Sequence, residues 1–85
     1  MINIKVIGPG CTNCIKLENL CYEVVRENQY QANIEKISDV KKIAEMGIML
    51  TPTLIINDKV FASGKIPTKA SLKHWIDDLL KDIFY

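Results

Sequence analysis

The sequence predicts an α/β domain: a central four-stranded mixed sheet flanked by helices, in the order βαβαββα. Three observations predict it. Short apolar runs alternate with amphipathic stretches, clusters of glycine and proline punctuate the joins, and two strand-to-strand connections pass through a helix. The chain has 85 residues, so 1–85 is expected to form a single domain around one core.

Ile2 to Ile7 is a short apolar strand that ends in the breaker cluster Gly8-Pro9-Gly10. From Thr12 to about Asn28 the residues Cys14, Leu17, Leu20, Cys21, Val24 and Val25 recur at helical spacing. Lys16, Asn19, Glu23, Arg26 and Glu27 fill the other side. Ala32 to Ile37 reads as a second strand, its alternation interrupted by Glu35-Lys36. Ser38 is then expected to cap a short helix running to Met46, with Gly47 just beyond its end. Thr53 to Asn57 is a third strand, and Asn57-Asp58 turns the chain tightly into a fourth, Lys59 to Ala62. Thr68 is the expected N-cap of a last helix whose stripe is Leu72, Trp75, Ile76, Leu79, Leu80 and Ile83. The two helical crossovers suggest that the first three strands run parallel, with the hairpin partner antiparallel at the edge. The first and last helices each need a sheet face, which suggests a sheet sandwiched between them.

Composition narrows the function. Hydrophobic residues make up 48% and charged residues 25%, which is ordinary globular usage and excludes a disordered chain. A net charge of +1 with both signs interspersed gives no footprint for nucleic acid or an anionic membrane. The opening residues lack a secretory pattern and no apolar run approaches a membrane span, so a cytoplasmic protein is expected. Three cysteines are an odd number for a structural disulfide framework in a compartment that keeps thiols reduced.

Cys11 and Cys14 stand at the seam between the first strand and the first helix, within "GPGCTNC". Such a pair can bind metal, cycle between dithiol and disulfide, or pack as two small hydrophobes. Position favours redox chemistry. The first amides of a helix lack intrahelical partners and carry the positive end of its dipole, so a thiolate at Cys11 would be stabilised. Its pKa is expected to fall from about 8.5 to about 6–7.5, and only the thiolate attacks disulfides. Cys14, one turn further in, begins the apolar stripe and is the expected shielded partner. It would resolve the mixed disulfide formed by Cys11.

The residues offer metal little support. A structural zinc needs four ligands, and only Cys21 and His74 remain. Cys21 lies about 10 Å further along the helix and reads as a buried core thiol. His74 reads as a surface side chain. No metal and no cofactor are expected.

A second signal is "GIMLTPTLIIN", where Pro52 directly precedes an apolar strand. With "GPGCTNC" and "ASGKIPTKASLKHWI" it makes nearly the whole chain resemble the thioredoxin-fold family. It is similar in particular to the small glutaredoxin-like, redox-active disulfide thioredoxins of about 80 residues. The resemblance implies a thiol–disulfide oxidoreductase acting on protein disulfides, with Cys11 as nucleophile and Cys14 as resolving cysteine. It further implies a cis peptide before Pro52, with the Thr51 backbone beside the dithiol to pair with an extended substrate. Gly64 matches a glycine that keeps the substrate groove open. Implied partners are disulfide-containing proteins and a thioredoxin-reductase-like electron donor, with the protein itself a monomer.

The chain also departs from the family pattern. Larger thioredoxins bury a carboxylate behind the resolving cysteine, and the matching strand here offers only Lys5. Lys36 matches the lysine that usually accompanies that carboxylate, but alone it reads as a snorkelling surface lysine, and without the carboxylate the Cys14 proton is left to water. The run "SGKIPTK" lacks the residues that seat glutathione in glutaredoxins. Two other readings remain: a copper or zinc carrier, whose βαββαβ order would end on a strand, and a redox-inactive interaction module.

Overall fold

The computed structural model describes the backbone of residues 2–10 and 12–84, and their side chains through position 81. The elements follow the expected order: β1 (Ile2–Ile7), α1 (Thr12–Asn28), β2 (Ala32–Ile37), α2 (Val40–Glu45), β3 (Thr53–Ile56), β4 (Lys59–Ser63) and α3 (Lys69–Phe84). Among the described residues no helix is long and apolar enough to cross a membrane.

The strands lie in the order β2-β1-β3-β4. β1 and β2 are parallel, whereas β3 is antiparallel to both β1 and β4. The third strand therefore reverses the direction expected from a second βαβ unit. The length of α2 is the reason. Its six residues rise only ~9 Å, too little to return the chain along a strand spanning ~20 Å. The chain stays at the end where β1 and β2 finish, and β3 sets out from there with Thr53 opposite Ile7.

A second expectation is corrected by the faces of the sheet. The two long helices share one face instead of covering both. Period-two alternation puts Ile2, Ile4 and Val6 on one side of β1, and cross-strand pairing adds Leu54 and Ile56. These join Leu17, Cys21 and Val24 of α1 and Leu72 and Ile76 of α3 in a single core. Trp75, Leu79 and Leu80 pack around it, and Trp75 stacks at a tilt on Phe61 at 5.5 Å. Ile83 lies outside the described side chains. The opposite side of the same strands carries exposed Asn3, Asn33 and Glu35 and half-buried Lys5, with buried Ile7 at the end of β1.

Local chemistry ends each element. Asn57 and Asp58 both take positive φ, 49° and 67°, as the tight hairpin turn requires. Asp39, rather than Ser38, caps α2, accepting from the Lys41 amide at 3.0 Å. Thr68 caps α3 through the Ser71 amide at 3.1 Å. At the far end of α1 the Tyr30 hydroxyl donates to Asp77 of α3, and Lys69 donates to Glu23 at 2.8 Å and to Glu27 at 3.1 Å. These contacts tie α3 to α1 away from the cysteine pair.

Candidate active site

Where β1 ends, α1 begins and β3 sets out lie Cys14, Thr51 and Pro52, the predicted site residues described there. Cys11 itself lies outside the described residues; it immediately precedes Thr12, the first residue of α1. Cys14 is fully buried on the sheet-facing side of that helix.

Gly8 creates the room for its sulfur. A Cβ built on Gly8 would fall 2.2 Å from Cys14 Sγ and 3.7 Å from Thr51 Cβ. Any side chain at this position would force the sulfur to shift. The glycine that reads as a simple breaker is thus a close-packing position. The sequence signal is its place directly after the strand, three residues before the first cysteine. Gly8 is fixed in turn by its amide, which donates to the Ile37 carbonyl at 2.9 Å.

Thr51 and Pro52 form the adjoining wall. The Thr51–Pro52 peptide is cis, as the resemblance implies, with Pro52 buried and Thr51 exposed. The buried Thr53 hydroxyl donates to the Leu50 carbonyl, and the Gly64 amide donates to the Pro52 carbonyl at 2.9 Å. Gly64 adopts φ 73° and abuts Leu50, whose Cβ lies 3.3 Å from the position a Gly64 side chain would take. Pro52 and Gly64 are thus joined by a hydrogen bond, and Thr51 adjoins them across the cis peptide. Leu50 against Gly64, Met49 before it in the chain and Ile15 next to Cys14 on α1 are 58%, 94% and 46% exposed.

Cys21, two turns along α1 from Cys14, is fully buried. Burial, and then the nearby Glu18 carboxylate, push its pKa up to about 12. It is a core thiol, as its spacing suggests. His74 is exposed and lies 3.2 Å from Asp78 one turn on, remote from the cysteine pair.

One functional candidate escapes the sequence reading. Lys36 is not a solitary surface lysine: its Nζ lies 3.7 Å from a carboxylate oxygen of Glu18. This carboxylate belongs to α1, not to β1. The available signal was that Glu18 follows Cys14 by four residues, one turn along the same helix edge.

Comparison with known proteins agrees with this geometry. A family model described as a thioredoxin domain matches residues 2–77. A thioredoxin of Methanothermobacter thermautotrophicus is 33% identical over 73 residues, covering 86% of this chain and 95% of the relative. A thioredoxin of Methanocaldococcus jannaschii is 31% identical over 81 residues, covering 95% and 93%. Among solved structures, thioredoxin-2 of the malaria parasite, described as a component of its protein secretion machinery, superposes with a TM-score of 0.71 at 12% identity. It covers 92% of this chain and 82% of its own. The present chain belongs to the thioredoxin family and is a thiol–disulfide oxidoreductase.

Proposed function

We propose that Cys11 and Cys14 are the working pair: Cys11 attacks a protein disulfide as the thiolate, and Cys14 resolves the resulting mixed disulfide. The observation that supports this reading is the burial of Cys14 Sγ against the backbone of Gly8, which Thr51 also flanks. A resolving sulfur must be shielded from solvent yet adjoin the surface where substrate docks, and the full burial of Cys14 next to Gly8 suits that role. The attack is ordinary thiol–disulfide exchange. Cys11 Sγ bonds to one substrate sulfur and the other leaves. Cys14 Sγ then bonds to Cys11 Sγ and releases the second. The substrate gains two electrons, and the protein is left with a Cys11–Cys14 disulfide for a thioredoxin-reductase-like donor to reduce.

Thr51, Pro52 and Gly64 supply the docking wall, where the exposed Thr51 backbone pairs with an extended segment of substrate. The apolar rim of Ile15, Met49 and Leu50 suits a polypeptide better than the small, charged glutathione. The working form is a cytoplasmic monomer that requires neither nucleic acid nor membrane.

The test is reduction of insulin by the purified protein in the presence of dithiothreitol. Wild type is expected to accelerate it, Cys11→Ser to abolish the acceleration, and Cys14→Ser to accumulate a covalent adduct through Cys11. Full activity in Cys11→Ser would overturn the assignment of the nucleophile.

A further inference from the structure

The chain has three methionines, and two of them bracket the loop that leads into the cis peptide. Met46 is the C-cap residue of α2, and Met49 follows three positions later. Met1 lies outside the described residues. A core uses methionine as an adaptable apolar filler. Here Met46 is 41% exposed and Met49 is 94% exposed, so the Met49 thioether stands in solvent.

The fold keeps it there. On one side of Met49 the Ile48 amide donates at 3.3 Å to the carbonyl of Ile43, the buried residue of α2. On the other side the Leu50 carbonyl accepts from the Thr53 hydroxyl, and the Leu50 side chain lies against Gly64. Met49 is held between two tethered neighbours, two residues before exposed Thr51. An extended substrate segment rises about 3.3 Å per residue. Once paired with the Thr51 backbone, it reaches position 49 within two residues. A small disulfide attacked by Cys11 does not extend that far.

Exposure also decides which sulfur meets an oxidant. Cys14 and Cys21 are fully buried, and after each turnover Cys14 is joined to Cys11. Met49 is then the most exposed oxidisable sulfur among the described residues.

We infer that Met49 is a site of oxidation by peroxides, and that its sulfoxide weakens the docking of protein disulfides while sparing the cysteine pair. This inference rests on the docking reading above. In the step, the Met49 sulfur attacks one oxygen of hydrogen peroxide and the O–O bond breaks. The sulfur gains that oxygen and loses two electrons, and the peroxide is reduced to water. An apolar thioether becomes a polar sulfoxide. Its oxygen must shed water when a substrate covers it, so docking weakens and the exchange chemistry does not change.

The test exposes the full chain, with its cysteine pair oxidised, to hydrogen peroxide and locates the added oxygen by peptide mass. Met49 is expected to gain oxygen before Met46, and Cys21 to gain none. Dithiothreitol then restores the dithiol and leaves the sulfoxide in place. The Michaelis constant for insulin is expected to rise about threefold to tenfold, with the rate towards dithiobis(nitrobenzoate) unchanged. Met49→Leu keeps an apolar side chain without the sulfur, so peroxide should not alter its Michaelis constant. Met49→Gln should begin with the raised value and show no further rise. Oxidation of Met46 ahead of Met49, a sulfoxide form with an unaltered Michaelis constant, or an equal rise in Met49→Leu would overturn the inference. If untreated wild type reacts with dithiobis(nitrobenzoate) but does not reduce insulin, the docking reading itself fails and this inference with it.

Discussion

Cys14 and Cys21 occupy the same face of the same helix, and both are fully buried, yet their surroundings differ. Cys21 lies in the middle of α1 among Ile, Leu and Val side chains from the sheet and α3. Burial and the Glu18 charge hold its proton to about pH 12. Cys14 lies at the end of α1, against the bare backbone of Gly8 and beside Thr51, where loops rather than packed side chains make the wall. Burial therefore does not decide what a thiol does. The sulfur enclosed by a core is a small hydrophobe, and the one enclosed by a loop junction is one turn from solvent and substrate.

The largest effect on this contrast is expected from Gly8→Ala, which forces a carbon into the space of Cys14 Sγ. Overpacking of this kind costs about 1–3 kcal/mol. Displacement of the sulfur by about an ångström is expected to lower disulfide reduction on the order of 100-fold. Insulin reduction together with urea unfolding checks both. Activity close to wild type would mean that the approach of Gly8 to Cys14 does not matter for resolution.

Cys21→Ala sharpens the other half of the comparison. It is expected to cost about 1–2 kcal/mol through the cavity left behind while insulin reduction stays unchanged. The pH dependence carries the sign. The folded-state pKa of Cys21 is raised above its ordinary 9.0 to about 12, so its contribution to stability is whole below pH 9. That contribution is lost as pH climbs toward 12, because the unfolded thiol ionises first. Urea midpoints measured across this range should fall more steeply for wild type than for Cys21→Ala. Parallel curves would mean that Cys21 ionises as readily in the folded protein as in the unfolded chain.

Gly64→Ala adds a side chain at φ 73° against Leu50. Leaving the left-handed conformation to a residue with a Cβ costs about 1–2 kcal/mol. Because Gly64 holds the Pro52 carbonyl, the Michaelis constant for a protein disulfide is expected to rise. Reaction of Cys11 with a small disulfide should be spared. The smallest effect belongs to Tyr30→Phe, which removes the hydroxyl donated to Asp77 at the end of α1 far from the cysteine pair. It should cost about 0.5–1.5 kcal/mol and leave every redox rate untouched.

Much of this contrast is legible in the residues themselves. The helical spacing of Cys14, Leu17, Cys21 and Val24 identifies the buried face, and Asn57-Asp58 and Thr68 mark a turn and a cap that the structure contains. Local patterns of this kind report on neighbours in sequence. The direction of β3 was not legible, because it depends on how far the short α2 can carry the chain between strands. That both long helices share one face follows from polar Asn3, Lys5, Asn33 and Glu35, which become informative only once β1 and β2 are paired in register. The role of Gly8 and the pairing of Glu18 with Lys36 depend on the three-dimensional juxtaposition of segments distant in sequence. Composition alone could not reveal them.

The claim on which all of this depends is that Cys11 is a thiolate at neutral pH. Its most direct test is the rate of iodoacetamide alkylation of the reduced protein as a function of pH, with the modified residue identified by peptide mass. The account predicts that Cys11 is labelled first, with half-maximal rate at pH about 6–7.5. A half-maximal rate no lower than that of free cysteine, near pH about 8.5, or preferential labelling of Cys14, would contradict it.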